Sequence, residues 1–366
     1  MNLLSPGPVK VIDQINQAQT REMITHRSQA FTELYTDLVT RLKKYFSSHE
    51  SYVFTGSGSL GLEGLLLNTC FPEDKVLCFT NGVFGDHMCA EAELYAEVQK
   101  ETCYPSNSQD VVKGWTLKMA KRSIDESNAQ VLAIVQNETG YAIRNDVKEI
   151  CNYAKKKGLY TIVDGISAWP GTRMDMKEFG IDGFVTASQK GIGCPPGMAL
   201  LGVSKELSER INSRDKIPNR YCDLRKHKQR FEKDGQTPNT PAISLFYSLQ
   251  KAFDVLDNER GGLEKTARTH KELGEYVRKR LIEIGFELIA EPGYESHTVT
   301  GFKVENAKKI KKELFDKGTF IVGCKGVFAE NGLRIGHMVF DPDKPSGIDI
   351  CLDLLEKIKK KKLGKI

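Results

Sequence analysis

The sequence has no run of eighteen consecutive apolar residues, which is about the length a membrane-spanning helix requires. Its first residues also lack the basic segment and apolar stretch of a secretory signal. The 366 residues are 40% apolar, enough for a large core divided over about two domains. We therefore expect a globular protein that is soluble, cytoplasmic and free of membrane association.

Metal-binding spacings and a basic surface are missing too. The nine cysteines include no CxxC pair, the histidines show no zinc-type spacing, and Cys78 in the apolar run VLCF is typical of a buried, reduced thiol. The net charge is +5, but six lysines lie within the last ten residues, so the rest of the chain is nearly neutral. Such a terminal cluster is typical of a solvated helix end. We expect neither a metal site nor a nucleic-acid partner.

Apolar strand-like runs alternate with helical patterns over most of the chain. The strand-like runs are SYVFT, VLCF, VLAIV, YTIV, FVTA and ALLGV. Helical patterns cover residues 28–46, the segment LGLEGLLLN, and residues 85–96, 116–127, 147–157 and 175–179. This alternation predicts an α/β fold with a mainly parallel sheet that helices cover on both faces.

Two regions flank this pattern. Residues 1–20 contain Pro6, Gly7 and Pro8, and we expect an extended arm of the kind that often lies across a partner.

Long helical patterns at 242–258 and 262–285 meet at a glycine pair. We place the boundary there, between a large domain (21–260) and a smaller C-terminal α+β domain (261–366). In the small domain, the runs FELIA, TVTGFKV, FIVGC and GLRIGHMV predict strands, and residues 307–317 and 347–360 predict helices.

One acid and one lysine follow two of the strand-like runs. Asp164 directly follows YTIV, and Lys190 follows FVTA by three residues. Both are therefore expected at neighbouring strand ends. A lysine in an apolar, glycine-flanked pocket has a lowered pKa and becomes the nucleophile that Schiff-base cofactors require. An aspartate facing a pyridine nitrogen keeps that ring protonated and electron-withdrawing. Singly, Asp164 is also compatible with a turn cap and Lys190 with a surface lysine. Together they favour pyridoxal chemistry.

A glycine-rich turn, TGSGSLG, lies between a strand and a helix. Gly56, Gly58 and Gly61 match the dinucleotide motif GxGxxG, but the next strand ends in FTNG, without the acidic residue that such a site needs. The hydroxyls of Ser57 and Ser59 and the free amides of a helix N-terminus suit a single phosphate monoester. We favour this phosphate site over a dinucleotide site or a plain turn.

Segments spread over nearly the whole chain resemble the class V aminotransferases of fold type I, particularly the alanine-glyoxylate and serine-pyruvate group. The segments are LLSPGPVKV, MITHRSQAF, TGSGSLGLEG, NGVFG, QNETG, VDGISAWPG, SQKG with a following PPG, and GLRIG. The resemblance implies a seven-stranded sheet in the large domain, pyridoxal 5′-phosphate (PLP) as cofactor, and a homodimer with shared active sites. It implies ping-pong transfer of an amino group from alanine, serine or aspartate to a 2-oxo acid such as glyoxylate or pyruvate.

The resemblance also implies roles for individual residues. Lys190 and Asp164 are catalytic and bind the cofactor, and Gly7 and Arg334 bind the substrate. The other residues assigned to the cofactor are Ser57, Gly58, Ser59, Phe84, Thr139, Ile166, Gln189 and, for the partner subunit's phosphate, Thr237 and Thr240.

Some of these positions admit a second interpretation. Phe84 stands where the family commonly has a stacking tryptophan, but isolated aromatics are usually core residues. Arg334 lies in an apolar strand, so it needs either a substrate carboxylate or an internal salt bridge. Thr139 is also compatible with a simple turn or cap residue.

The sequence departs from the family pattern beside Thr139 and near Thr237. After Thr139 the family usually continues with serine, threonine and glycine, whereas this chain has Gly140, Tyr141 and Ala142. Near Thr237 and Thr240, the tyrosine that often precedes such a threonine is absent.

Three alternatives to the amino-acid aminotransferase remain open at this stage. A cysteine desulfurase-like lyase of the same fold usually has a histidine before the lysine, where Gln189 stands here, and Cys324 in VGCKG is the only loop-like candidate for its reactive cysteine. The others are a 2-aminoethylphosphonate aminotransferase and a catalytically silent interaction protein without cofactor.

Overall fold

The computed structural model describes residues 1–338 and 346–362, apart from the side chains of residues 346 and 362. Its strands are β1 (Asn2–Leu3), β2 (Glu50–Thr55), β3 (Lys75–Thr80), β4 (Glu97–Thr102), β5 (Val131–Val135), β6 (Asn137–Glu138), β7 (Ile143–Arg144), β8 (Tyr160–Asp164), β9 (Gly183–Ala187), β10 (Met198–Val203), β11 (Val299–Lys303), β12 (Thr319–Phe320), β13 (Val322–Gly323) and β14 (Gly332–Gly336). The end of the predicted strand GLRIGHMV, at Val339, lies outside the described residues, as does the end of the lysine tail.

The α-helices are α1 (Asp13–Gln17), α2 (Gln29–Phe46), α3 (Gly58–Thr69), α4 (Val83–Ala92), α5 (Leu117–Glu126), α6 (Val147–Lys156), α7 (Met176–Phe179), α8 (Lys205–Asn212), α9 (Leu224–Asp234), α10 (Ile243–Asp254), α11 (Gly262–Ile284), α12 (Ala307–Asp316) and α13 (Ser346–Lys362). Within the described ranges, none of them combines the length and the apolar character needed to cross a membrane.

A seven-stranded sheet forms the centre of the molecule. Its strand order is β2-β10-β9-β8-β5-β3-β4. Strand β10 runs antiparallel to the other six strands, which all run in one direction. The strands β5, β9 and β10 are buried along their whole length, as expected when helices cover both faces of a parallel sheet. The predicted fold class is therefore confirmed.

Alternate residues of each strand pack into different apolar clusters. In β3, Leu77 and Phe79 belong to one cluster, whereas Val76 and Cys78 belong to the other. This division follows from the two-residue period of a strand, which points successive side chains to opposite faces. Helix α2 contributes its buried face to the first cluster, and α3 lies against the second.

The position of α3 depends on close contact with the sheet. A Cβ atom at Gly61 would lie 2.6 Å from the Ala199 Cβ and 2.9 Å from the Val185 Cγ2. Only a residue without a side chain allows this approach, so the GxGxxG pattern here serves helix-to-sheet packing. The packing places the N-terminus of α3 beside the carboxyl ends of the parallel strands.

The C-terminal part of the chain contains a three-stranded antiparallel sheet, β11-β14-β13. Helices α11, α12 and α13 pack with it around an apolar cluster that also includes Leu4 from the N-terminal arm. Strand β1 of the arm pairs with β12. The domain boundary at residue 261 stays a prediction.

The structure corrects three predictions of local structure. The arm is not extended as far as residue 20. Helix α1 begins at Asp13, five residues after Pro8, and buries Ile15. The segment FELIA forms only isolated bridges, at Leu288 and Ala290, rather than a regular strand. Strand β4 was missed because its sequence, EVQKET, is mostly polar and exposed.

Candidate active site

Asp164 and Lys190 lie at the same edge of the large sheet. Asp164 is the last residue of β8 and is in register with Val185 of the parallel strand β9, and Lys190 follows β9 by three residues. Both line one cavity of about 160 Å³. Of the residues predicted to bind the cofactor, the cavity brings together Ser57, Gly58, Ser59, Phe84, Thr139, Asp164, Ile166, Gln189 and Lys190.

One wall of the cavity is the N-terminus of α3. Ser57 is the N-cap residue, and its hydroxyl makes no capping hydrogen bond. Ser57 and Ser59 are exposed, whereas Gly58 is buried, and a Cβ atom there would come within 2.7 Å of the Ile166 side chain. Two free hydroxyls at the positive end of a twelve-residue helix form a suitable site for an anion.

Gln189 also lines the cavity. Its Oε1 atom is buried and has no hydrogen-bond partner among the described residues. A buried polar atom without a partner is costly in a folded protein, so such an atom beside a cavity indicates a ligand that completes its bonding.

Asp164 is buried and has limited solvation. The backbone N–H of Ile166 donates to its Oδ1 at 2.7 Å. Burial raises the pKa of Asp164 to about 6, while that bond and the nearby Lys190 charge oppose the shift. A cationic group placed against this carboxylate would restore the charged form.

The pKa of Lys190 is shifted in the opposite direction from that of Asp164. Burial lowers the pKa of Lys190 to about 8; the Asp164 charge opposes this change and the Arg334 charge adds to it. Its amine donates to the carbonyl oxygen of Pro6 at 2.8 Å, and a Cβ atom at Gly7 would lie 2.5 Å from the lysine side chain. The N-terminal arm therefore covers the lysine directly.

Phe84 lines the cavity near the start of α4. The backbone N–H groups of Phe84 and Gly85 donate to Oε2 of Glu138, at 2.9 and 3.1 Å. Burial raises the pKa of Glu138 to about 7, against these bonds and a third from the N–H of Gly140. Glu138 thus fixes the backbone that carries the aromatic ring. The sequence does not predict this role, because it depends on two segments far apart in the chain.

Thr139 belongs to a buried polar network on the cavity wall. Its hydroxyl donates to that of Ser167, and the Asn137 amide donates to the same Ser167 oxygen at 2.8 Å. The Thr298 hydroxyl donates to the Ser167 carbonyl at 2.7 Å. Asn137 and Ser167 also line the cavity and were not predicted, although they lie within the segments QNETG and VDGISAWPG.

Arg334 is only 5% exposed, yet it has no carboxylate partner among the described residues. Its Nε and Nη2 donate to the Gly323 carbonyl at 2.9 and 2.7 Å, and its Nη1 donates to the Thr139 carbonyl at 2.6 Å. Within the part of the chain that the structure describes, the salt bridge considered from the sequence is therefore not formed. A buried guanidinium held only by carbonyls keeps its positive charge available to an anion.

Four predicted site residues lie outside the lining of this cavity: Arg334, described above, and Gly7, Thr237 and Thr240. Gly7 contacts Lys190 from the arm. The Thr237 hydroxyl donates to the Asn239 carbonyl, and Thr240 is exposed beside His26. Their assignment to substrate and to the partner subunit's phosphate stays a prediction.

His87 and Glu91 line the cavity and were also not predicted. They follow Phe84 by one and two turns of α4, so helical periodicity places all three on one face. Burial, with the nearby Glu63 and Asp164 charges, raises the pKa of Glu91 to about 7.

Cys324, the candidate reactive cysteine, is 5% exposed, and burial raises the pKa of its thiol to about 12. A thiol of this kind carries almost no thiolate at neutral pH and is a poor nucleophile.

Comparisons with known proteins agree with this geometry. The class-V aminotransferase family matches residues 6–321. An uncharacterized aminotransferase of Methanocaldococcus jannaschii is 32% identical over 344 residues, covering 92% of this chain and 87% of its own length. The L-aspartate–glyoxylate aminotransferase of Paracoccus denitrificans is 26% identical over 352 residues, which cover 91% of this chain and 85% of that protein.

A solved structure is similar over nearly the whole chain. The alanine–glyoxylate aminotransferase from Nostoc sp. superimposes with a TM-score of 0.90 at 25% sequence identity, and the match covers 97% of this chain and 94% of that one. Family match, relatives and fold thus agree with the resemblance seen in the sequence. The chain belongs to the class-V aminotransferase family and is an aminotransferase.

Proposed function

We propose that the protein is a PLP-dependent aminotransferase that moves an amino group from alanine, serine or aspartate to glyoxylate or pyruvate by a ping-pong mechanism. The observation that carries this proposal is the joint position of Lys190 and Asp164 on one cavity that is also lined by a helix N-terminus. Membership of the class-V family supports the cofactor.

The residues of the cavity fit PLP in charge and in bonding. Ser57, Gly58, Ser59 and the amide N–H of Gln189 would hold the phosphate, and Phe84 would lie against the ring. Asp164 would face the ring nitrogen. When bound, PLP supplies an aldehyde that takes up the amino group and a ring that withdraws electrons from the substrate α-carbon.

Lys190 is placed to carry the proton transfer at the substrate α-carbon. Its pKa of about 8 leaves part of the amine unprotonated near neutral pH, which is the range in which a general base is efficient. The arm over Lys190 limits the access of water to the amine, and Asp164 supplies a negative charge within the same cavity. Because the lysine follows a buried strand, its position is well fixed.

Arg334 would bind the substrate carboxylate. Its three hydrogen bonds to carbonyl groups leave the charge without a described counter-ion. A carboxylate accepts two parallel N–H bonds from a guanidinium, which fixes both the position and the orientation of the substrate.

Removing the two hydroxyls of the phosphate site is expected to weaken cofactor binding. Hydrogen bonds to charged groups contribute about 1.5–3 kcal/mol each, so Ser57→Ala/Ser59→Ala should raise the Kd for PLP at least roughly 10-fold. Titration of cofactor-free protein, followed by absorbance, measures this. Ser127→Ala, at the end of α5, is the matched control. Equal affinities for PLP in the double variant and the wild type would show that the phosphate binds elsewhere.

The amino donor is identified by a half-reaction screen. The PLP-loaded protein is mixed with single amino acids, and the absorbance of the bound cofactor is followed in the absence of an acceptor. We expect rapid spectral change with alanine, serine or aspartate, since the relatives named above use alanine or aspartate. A response to 2-aminoethylphosphonate alone would reassign the substrate class, and no response to any amine would contradict the proposal.

A substitution of Cys324 distinguishes transamination from a desulfurase activity. Cys324→Ala should retain transamination, because the buried thiol is not part of the cavity lining. In a desulfurase, the reactive cysteine must reach the cavity. Release of sulfide from cysteine by the wild type, lost in Cys324→Ala, would instead support the lyase.

We also propose a homodimer in which Thr237 or Thr240 reaches the partner subunit's phosphate. Arg27 supports this segment, because its guanidinium donates to the Thr237 and Pro238 carbonyls at 2.8 and 3.2 Å. The segment is thus held in place although it lies away from the cavity of its own chain. Sedimentation equilibrium tests the dimer.

A further inference from the structure

Tyr141, where the chain departs from the family pattern, is buried against another segment. It is 4% exposed, and its ring meets that of Phe328 edge-to-face, with centroids 5.6 Å apart. The backbone N–H of Val327 lies close to its hydroxyl. Tyr141 therefore connects the loop after Thr139 to residues 323–328, which we call the clamp segment.

Two further contacts fix this connection. The Lys325 N–H donates to the Gly140 carbonyl at 3.2 Å. Gly326 has a φ of +51°, and a Cβ atom there would lie 2.0 Å from the Tyr141 hydroxyl oxygen, so the tyrosine fits only against glycine. The loop and the clamp segment are thus joined through both backbone and side chain.

The carbonyl groups that hold Arg334 come from these same two pieces of chain. The Thr139 carbonyl accepts from Nη1, and Thr139 precedes Tyr141 in the loop. The Gly323 carbonyl accepts from Nε and Nη2, and Gly323 begins the clamp segment. The Thr139 carbonyl also accepts from the Ala142 N–H at 3.3 Å, which closes a turn around Tyr141. The plane of the guanidinium therefore depends on the separation of the two carbonyls.

We propose that Tyr141 is a positioning residue that aims Arg334 at the substrate carboxylate. The inference rests on the proposed function. A guanidinium has five N–H groups. Toward the described residues three are used, one each on Nε, Nη1 and Nη2, and the other two, one on each terminal nitrogen, would form a fork for a carboxylate. If the loop and the clamp segment separate, the guanidinium rotates and the fork no longer matches its ligand; errors of about 1 Å in such positioning cost up to roughly 100-fold in rate.

A pair of carbonyl reagents tests this inference. Amino-oxyacetate and methoxyamine both react with bound PLP, but only the first carries a carboxylate. The ratio of their second-order rate constants therefore measures carboxylate recognition. We expect this ratio to fall at least roughly 10-fold in Tyr141→Ala, with the methoxyamine rate unchanged, and to stay within about threefold of wild type in Tyr141→Phe, which keeps the ring. Tyr35→Ala, a buried tyrosine whose ring partners lie away from the cavity, is the matched control and should leave the ratio unchanged.

Hydrogen–deuterium exchange of the cofactor-free protein gives a second measurement. Residues 323–328 should exchange faster in Tyr141→Ala than in the wild type or Tyr35→Ala. If Tyr141→Ala does not fold, Tyr141→Leu, which keeps most of the volume, takes its place in both experiments.

Arg334→Gln separates this inference from the proposed function. If Arg334→Gln lowers the reagent ratio and the Tyr141 variant does not, the positioning role is overturned and the function stands. If Arg334→Gln leaves the ratio unchanged, the carboxylate role of Arg334 fails and the inference fails with it. Unchanged exchange of residues 323–328 in the Tyr141 variant would also overturn the positioning role, whether or not PLP binds.

Discussion

Lys190→Ala is expected to abolish turnover while leaving the fold intact. The substitution removes the residue that we propose as both the nucleophile and the group that moves the α-proton, and general acid–base catalysis alone contributes about 10²–10⁴-fold. We expect kcat to fall at least roughly 10⁴-fold. Steady-state kinetics with the donor found in the half-reaction screen measures the loss, and circular dichroism checks the fold.

The structural reason for a retained fold is the position of the side chain. Lys190 lies at the cavity edge after β9 and takes no part in the apolar clusters on either sheet face. Lys118→Ala, on α5, removes a lysine away from the cavity and should leave kcat unchanged. Normal turnover by Lys190→Ala would remove the basis of the proposed mechanism.

Asp164→Asn is expected to have the second largest effect. An amide cannot offset the positive charge of a ring nitrogen, and breaking a buried charge pair costs about 3–5 kcal/mol. Turnover should therefore fall roughly 10²–10⁴-fold. The cofactor should still bind, because Ser57 and Ser59 hold a different part of it. Retained affinity with lost turnover would distinguish a role in chemistry from one in binding alone.

The same substitution has an effect on stability that can be measured without cofactor. Burial raises the pKa of Asp164 from its ordinary 3.8 to about 6, so the folded state binds this proton more tightly than the unfolded state. The resulting stabilisation is complete below pH 3.8 and is lost as the pH rises through about 6.

Denaturant unfolding of the cofactor-free protein at several pH values checks this sign. Between pH 4 and 7 the wild type should lose on the order of 1–3 kcal/mol relative to Asp164→Asn. Glu91 and Glu138 also have raised pKa values, mainly through burial, and that part cancels because both residues are present in each protein; the smaller part due to the Asp164 charge is lost in Asp164→Asn. A constant difference in stability across this range would show that the Asp164 pKa is not raised.

The sequence predicted those parts of the site that depend on local pattern. Asp164 and Lys190 each follow a β-branched, apolar run, so strand periodicity alone places them at neighbouring strand ends. The two serines lie in a glycine-rich turn before a helix, a pattern that itself suits phosphate. The alternation of strands and helices was enough for the fold class.

The parts that were missed depend on contacts between distant segments. Glu138 bonds backbone groups of α4 more than fifty residues earlier in the chain. The acceptors of Arg334 are main-chain carbonyls, which carry no side-chain signal. Strand β4 is at the sheet edge, where solvent exposure permits a polar sequence, and FELIA is apolar without joining a regular strand.

The arm over Lys190 also affects the order in which the protein assembles during synthesis. Strand β1 is made more than three hundred residues before its pairing partner, Thr319–Phe320. Contacts of such long sequence separation form late, because the loop between them must close first. We expect the large sheet to form earlier, and Lys190 to gain its cover only when the C-terminal third of the chain has folded.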